Sequence, residues 1–231
     1  MSLLTLVQSV ASKIGVNRPS TVISNNAIEN LHIQDAVNEA GVEVLRTHDW
    51  QIMRREKTFT SLATETQTSM VPADLDRFIS DTFWNRSQVR PFKGPATPQE
   101  WQYLKATTVV PVNEVFTVRG SNILILPTPT AGDTFAYEYI SNRWRTDSGG
   151  TEITAFAADT DLVVLEERLI ALCATWIFKK ARGLPWEGDY EQYAGQLYLA
   201  KVAEQPRTVI SFVGLKTKRP GVAVPEGTWN L

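Results

Sequence analysis

The chain has 231 residues, of which 43% are hydrophobic and 21% charged, and its formal net charge at pH 7 is −2. This balance argues against tight, nonspecific nucleic-acid binding as its main role. No apolar run reaches the roughly 18 residues typical of a membrane span, and the first residues lack the basic and apolar regions of a signal peptide. We therefore expect a protein that is made in a cytoplasm and has no membrane segment. The single cysteine, Cys173, excludes an intramolecular disulfide.

The N-terminal third predicts two helices. Residues 3–14 place apolar side chains at helical spacing and end at Gly15, and a turn-rich segment follows over residues 16–26. From Ala27 to about Trp50 the pattern predicts a long helix with two apolar stripes. One stripe contains Ile28, Leu31, Val42 and Leu45, and the other contains Ile33, Val37, Ala40 and Val44. Two stripes suggest neighbours on both sides, one of them belonging to a second subunit.

Beyond Trp50 the hydrophobic period changes from helical to alternating, which predicts a β-rich block over residues 51–154. The clearest strands are expected at residues 56–60, 67–72, 114–118, 122–126 and 135–140. Further short strands are expected within 72–86 and at 89–91. A short helix should begin at Thr97, because Thr97, Pro98 and Glu100 form the sequence pattern of a capping box with proline at the first helical position.

Residues 161–182 are the most apolar and most clearly helical run, with one broad apolar face and Phe178 on the opposite side. Asp161 is expected to be the N-cap of this helix. A second helix is expected at about 189–204, and residues 206–231 then lose all periodicity. We therefore predict an α+β fold with a helical bundle (1–50 and 155–205), an inserted antiparallel β-rich block (51–154) and an extended C-terminal tail (206–231). Within that tail, Trp229 has no core to fill and is interpreted as an anchor for another chain.

Residues with catalytic chemistry do not form a convincing site. His32 and His48 are about 24 Å apart along one helix, too far to share a metal ion. The carboxylate pairs Asp74/Asp76 and Glu166/Glu167 fit turn formation and a helix start better than catalysis. The sequence NRWR at 142–145 is a weak candidate for stacking on a nucleobase. We therefore predict no catalytic, cofactor-binding or metal-binding residues.

Four stretches carry a resemblance to a known family. They are IGVNRPS at 14–20, HDW at 48–50, VPADLDRFISDTFWNR at 71–86 and AFAADTDL at 155–162, the last followed by the helix pair. With the order of predicted elements, they resemble the head-to-tail adaptors of short-tailed bacteriophages, known as tail accessory factors or tail tubular protein A. The resemblance covers nearly the whole chain, and its motifs are turns and helix starts rather than catalytic groups.

The resemblance implies a structural protein of the virion, located at the head–tail junction. Such adaptors form a ring of twelve copies that binds the portal protein and the tail nozzle or tube, and genomic DNA passes through it. We expect subunits to pack through residues on the long helix and the residue 161–182 helix, and the tail to dock on the portal. The packing residues are Ile28, Leu31, Ile33, Val37, Val42, Val44 and Phe178. The docking residues are Lys216, Lys218, Arg219, Trp229 and Leu231.

Two alternatives remain open at this point. One is a virion-associated peptidoglycan hydrolase that uses a carboxylate pair. The other is a different ring protein that completes the tail.

Overall fold

A computed structural model describes residues 2–107 and 114–204 of the chain. The described part contains α-helices and antiparallel sheets, which confirms the predicted α+β class. The helices are α1 (Leu3–Ile14), α2 (Ile28–Thr47), α3 (Pro98–Ala106), α4 (Glu167–Ala181) and α5 (Glu187–Glu204). The longer strands are β1 (Arg54–Thr60), β3 (Leu75–Phe78), β6 (Val115–Arg119), β7 (Asn122–Leu126) and β8 (Thr134–Ser141). The two-residue strands are β2 (Thr66–Gln67), β4 (Trp84–Asn85), β5 (Arg90–Pro91), β9 (Arg145–Thr146), β10 (Glu152–Ile153) and β11 (Leu162–Val163).

The helical part of the molecule consists of α1, α2, α4 and α5, and α4 is its central element. It packs against each of the other three helices. Its residues Leu169, Ile170 and Cys173 are completely buried, as expected for a helix that is covered from several sides. Helix α1 ends at Gly15, whose left-handed φ of +79° allows the chain to turn toward α2.

The start of α4 differs from the prediction. Asp161 is not a helix N-cap, because its carboxylate accepts hydrogen bonds from the backbone N–H groups of Ala157 (2.7 Å) and Ala158 (2.8 Å) in the preceding turn. Leu162 and Val163 then form β11, which pairs with β9, and the helix begins only at Glu167. The apolar run therefore contains a short strand followed by a helix.

The β part of the molecule is built around β8, the longest strand. Strand β1 pairs with it antiparallel over its whole length, from Arg54 opposite Ile140 to Thr60 opposite Thr134. Strands β3 and β4 occupy the other side of β8, and β5 pairs with β4. Strand β1 is therefore an edge of this sheet. Strands β2, β7 and β6 form a second sheet, and β10, β9 and β11 form a third. The strand expected at 67–72 is reduced to the two residues of β2.

An aromatic core fills the β part. Phe135, Tyr137 and Tyr139 of β8 share one buried face, as the alternation predicts. They pack against aromatic residues from the neighbouring strands and loops: Phe59, Phe78, Phe83, Phe92 and Phe116. This core is separate from the apolar core of the helical part. The division of the chain into domains at the expected boundaries stays a prediction.

Candidate assembly surface

Helix α2 has an outward apolar face opposite its packed face. On a helical wheel, Ile33, Val37 and Val44 point toward the core, whereas Ile28 and Leu31 point about 180° away. Ile28 is 68% exposed, Leu31 is 42% exposed, and Val42 on the same outward face is 38% exposed. Three aliphatic side chains along one helix face form a surface that another protein can cover.

The other four residues expected at a subunit contact are buried inside their own chain. Ile33, Val37 and Val44 of α2, together with Phe178 of α4, belong to the helical core. Helix α2 packs along α4, and α1 also contacts α2, so one of the two stripes is used within the chain. These four residues are therefore corrected from intersubunit contacts to core residues, and Ile28, Leu31 and Val42 remain as surface candidates.

Acidic side chains border the outward apolar face. Asp35, Glu39 and Glu43 recur at helical spacing on the side of α2 that carries Ile28, Asp35 lying between Ile28 and Leu31 on the helical wheel, and all three are exposed. Cationic groups gather elsewhere on the helical part. Lys13 at the end of α1 lies near Arg168 of α4, and burial together with this guanidinium lowers the pKa of Lys13. Lys13 and Arg18 also line one surface groove. The helical part thus carries an acidic and a basic surface.

The β part is joined to α2 by Trp144, for which the sequence pattern suggested only stacking on a nucleobase. Its indole is buried directly against Gly41, and a Cβ atom at Gly41 would overlap three atoms of the ring. The Arg145 guanidinium stacks over the ring at 3.8 Å, and its Nη2 donates a hydrogen bond to Asn38 (2.8 Å). Burial lowers the pKa of Arg145 to about 10. Because Trp144 is buried, residues 143–145 form a junction rather than a platform for nucleobases.

Arg77 of β3 makes a second connection between the β part and α2. Its Nη2 donates hydrogen bonds to the backbone carbonyls of His48 (2.6 Å) and Leu45 (3.2 Å), at the C-terminal end of α2. Its other nitrogens pair with Asp49 (2.8 Å) and Asp76 (2.7 Å). A guanidinium at this position satisfies unpaired helix carbonyls and interacts favourably with the helix dipole. The orientation of the β part is thus tied to α2 at two points.

An open groove of about 470 Å³ lies on the outer face of the main sheet. The exposed indole of Trp84 forms one wall, and Val89 stands beside it with an unusual φ of +54°. Glu56 and Arg86 form an ion pair at 2.7 Å on the groove wall, and Glu138 also lines it. An exposed Trp among charged residues is a typical contact point for another protein.

The carboxylate pairs take part in structural contacts. Asp74 accepts a hydrogen bond from the hydroxyl of Tyr139 (3.1 Å). The pKa of Tyr139 is raised to about 12, mainly by burial and secondly by the negative charge of the Asp74 carboxylate. Asp76 pairs with Arg77, as described above. Glu166 stands directly before α4 and accepts a hydrogen bond from Gln196 of α5 (2.9 Å). None of these contacts brings two carboxylates together across a cleft.

Within residues 2–107 and 114–204, no group of three His, Cys, Asp or Glu residues is arranged to hold a metal ion. His48 instead lies edge-on to Trp50 at 5.1 Å, and His32 borders a small cleft between α2 and α4. Cys173 is buried, and this burial raises the pKa of its thiol to about 12.

No helix in the described part of the chain is long and apolar enough to cross a bilayer. The expected tail residues, Lys216, Lys218, Arg219, Trp229 and Leu231, lie outside the described residues.

An α+β protein whose surface features are exposed apolar side chains rather than a cluster of reactive groups fits the class of assembly proteins. Comparison with protein-family models matches residues 1–210 to the SU10 adaptor protein family. The chain belongs to the SU10 adaptor protein family and is a structural adaptor of bacteriophages. A search of curated proteins gave no match. The family match confirms the adaptor part of the predicted resemblance, whereas the tail-accessory subtype stays a prediction.

Proposed function

We propose that this protein is the head-to-tail adaptor of a phage virion, forming a ring beneath the portal that connects the capsid to the tail. The family match supports the adaptor role, and the exposed apolar face of α2 is the observation that supports ring formation. In a ring built by rotation, each copy presents one surface to the preceding copy and a different surface to the next. Twelve copies are the number that the resemblance to short-tailed phage adaptors implies.

The lateral contact is formed by Ile28, Leu31 and Val42 of one copy against the helical part of the next. Their acidic border at Asp35 and Glu39 complements a basic surface such as that near Lys13 and Arg18. Charge complementarity of this kind fixes the orientation of the partners and the rate of association more than the affinity. The exposed aliphatic residues supply the apolar area of the contact.

The β part faces the tail nozzle or tube, and the groove at Trp84 contacts that partner. The C-terminal residues Lys216, Lys218, Arg219, Trp229 and Leu231 reach along the portal, where Trp229 and Leu231 supply apolar anchors. The net charge of −2 suits a protein that lines a DNA conduit, because DNA can pass without strong phosphate binding. The protein is thus located at the head–tail junction after synthesis in the host cytoplasm.

The proposal can be tested by mixing the purified chain with portal assemblies and examining the products by electron microscopy. We expect a ring of density attached to the portal. Leu31→Asp should prevent lateral packing, because a charge at a desolvated contact lacks a partner. Tyr103→Asp is the matched control, since it places the same charge at an exposed apolar position on α3. Both variants should remain folded by circular dichroism. Failure of the parent chain to join portals would refute the adaptor role, and normal rings from Leu31→Asp would refute the α2 contact alone.

A further inference from the structure

The groove beside Trp84 follows from the pairing register of the main sheet. Trp84 of β4 lies opposite Ala136 of β8. Two residues further along β8, Glu138 lies opposite Glu56 of β1. Residues two positions apart on a strand, and residues directly opposite each other on neighbouring strands, point to the same face of a sheet. The four side chains therefore share the outer face, and the small methyl group of Ala136 leaves a hollow between the indole ring and the two carboxylates.

The lining of this groove is acidic. It contains three carboxylates, from Glu56, Asp81 and Glu138, and one guanidinium, from Arg86. Two glutamates that face each other across neighbouring strands repel, and this repulsion destabilises the sheet. Arg86 compensates Glu56 through two hydrogen bonds, of 2.7 and 3.1 Å. The negative charge of the groove therefore resides mainly on Glu138 and Asp81.

The Glu138 carboxylate retains unused acceptor capacity. Within residues 2–107 and 114–204, it forms one long ion pair, with Nε of Arg54 at 3.9 Å, and its oxygens accept no hydrogen bond. The Asp81 side chain makes neither an ion pair nor a hydrogen bond with a described residue. An ionised carboxylate has about four acceptor positions. Both carboxylates can thus bind a cationic donor from another molecule.

Two residues that line the groove also have an unfavourable backbone conformation. Asp81 and Val89 have φ values of +61° and +54°, and they are two of the three non-glycine residues with a positive φ in the described part of the chain. A positive φ is a genuine outlier for a β-branched residue such as Val89. Val89 is 76% exposed, so packing against described residues does not account for its conformation. Backbone strain of this kind is concentrated at binding sites.

We propose that this groove binds a basic segment of the tail protein, one that carries an exposed arginine or lysine. Its side chain lies along Ala136 and places its cation over the face of the Trp84 indole. From there the cation pairs with the free oxygens of Glu138 and offsets the repulsion between Glu138 and Glu56. The inference rests on the proposed contact between this groove and the tail, and it specifies the chemistry of the partner.

A basic segment fits the groove better than other partners do. An acidic segment, or the phosphates of DNA, would meet three carboxylates. A purely apolar side chain would cover Glu138 without giving it a partner, and a charge that is removed from water without a partner is strongly unfavourable. Arginine and lysine combine a long aliphatic stem with a terminal charge, so they match both the apolar floor and the acidic wall.

A tetra-arginine peptide tests the proposal on the purified full-length chain. The indole N–H resonance of Trp84 is followed by NMR during the titration, after its assignment from the spectrum of Trp84→Phe. We expect a saturable shift of this resonance with tetra-arginine and none with tetra-glutamate. Glu138→Gln should weaken the binding about two- to fivefold, as expected for the loss of one exposed charge contact. Because this change is isosteric and removes the repulsion from Glu56, the variant should fold at least as stably as the parent.

Glu39→Gln is the matched control, because it makes the same chemical change on the acidic side of α2, outside the groove. Its affinity for tetra-arginine, measured at Trp84, should equal that of the parent. Equal affinities of the parent and Glu138→Gln, or equal shifts with both peptides, would overturn the proposal. A Trp84 shift that grows with protein concentration in the absence of peptide would also overturn it, because the occupant would then be a second copy of the chain.

The peptide titration and the portal assay fail independently of each other. A chain that forms rings on portals but shows no shift at Trp84 with tetra-arginine would keep the adaptor role and lose the basic partner. A chain that binds tetra-arginine at Trp84 but never joins portals would lose the adaptor role and keep the groove as a site for basic segments.

Discussion

The contact between Gly41 and Trp144 predicts a large effect from a small substitution, Gly41→Ala. The new Cβ would overlap the Cη2, Cζ2 and Cζ3 atoms of the indole ring. The ring is fully enclosed, with the Arg145 guanidinium over it at 3.8 Å and Phe156 edge-on at 5.7 Å. Neither the ring nor the helix can move without breaking these contacts.

The magnitude follows from two opposing contributions. Inserting a methyl group into a close-packed core costs about 1–3 kcal/mol, and displacing the indole altogether approaches the roughly 3–5 kcal/mol of a core Trp deletion. Replacing glycine by alanine inside a helix stabilises the helix by about 1 kcal/mol, which offsets part of this cost. We expect the free energy of unfolding to fall by about 2–3 kcal/mol, which lowers the melting temperature by on the order of 10 °C for a chain of this length.

Urea denaturation of the full-length chain measures this difference, and Gly195→Ala supplies the matched control. Gly195 lies in the middle of α5, and a Cβ there meets no atom within 4 Å. That substitution should therefore stabilise the chain by about 0.5–1 kcal/mol. In a Trp144→Leu background the cost of Gly41→Ala should shrink, because the smaller side chain leaves room for the methyl group. A Gly41→Ala variant as stable as Gly195→Ala would refute the close packing.

Three further predictions concern individual contacts. Arg77→Lys should lower the free energy of unfolding by about 1–3 kcal/mol in urea denaturation. The planar guanidinium of Arg77 contacts two carbonyls and two carboxylates at once, which the single ammonium group of a lysine cannot do. A variant of full stability would contradict the proposed role of Arg77 at the end of α2. Thr97→Ala should lower the stability of α3 by about 1 kcal/mol, because it removes the capping box. Gln102→Ala, on the exposed side of α3, should leave that stability unchanged. Amide exchange over α3 measures the difference between the two variants. Cys173 should resist thiol reagents until the chain is unfolded; because its pKa is raised in the folded state, the free energy of unfolding should also fall as the pH rises from the ordinary thiol value of 9 toward 12. Rapid labelling of the folded chain would disprove the burial.

The sequence predicted those elements whose signal is local. The capping box at Thr97 is formed as expected, since both of its hydrogen bonds join residues three positions apart. The prediction that Asp161 is a helix N-cap was wrong, because an aspartate before an apolar run can either cap a helix or close a turn. Only the strand that pairs with Leu162 distinguishes these two possibilities. That partner is Thr146 of β9, which lies 16 residues earlier along the chain. A helical wheel contains no information about such a pairing.

The assembly surface was only partly predictable for a similar reason. Both stripes of α2 are apolar, and the pattern alone cannot show which one packs on the rest of its own chain. The small residues Ala36 and Ala40 lie on the packed side, where a close approach of α4 favours small side chains. Gly41 offered the one available signal for the junction, because a glycine inside a long helix often marks a close contact. Its partner Trp144 could not be identified without the fold.

Helix α2 links the proposed subunit contact to the β part. Ile28 and Leu31 lie near its N-terminal end, whereas Gly41 and the carbonyls bound by Arg77 lie toward its C-terminal end, about 15–30 Å away. A helix is stiff over that length, so the attachment of the β part determines how it is oriented relative to neighbouring copies. We therefore expect Arg77→Lys and Gly41→Ala to impair tail attachment at temperatures where both variants remain folded and still form rings on portals. Electron microscopy of portal complexes with and without tail protein would show this, and normal tail attachment would mean that the two functions are independent.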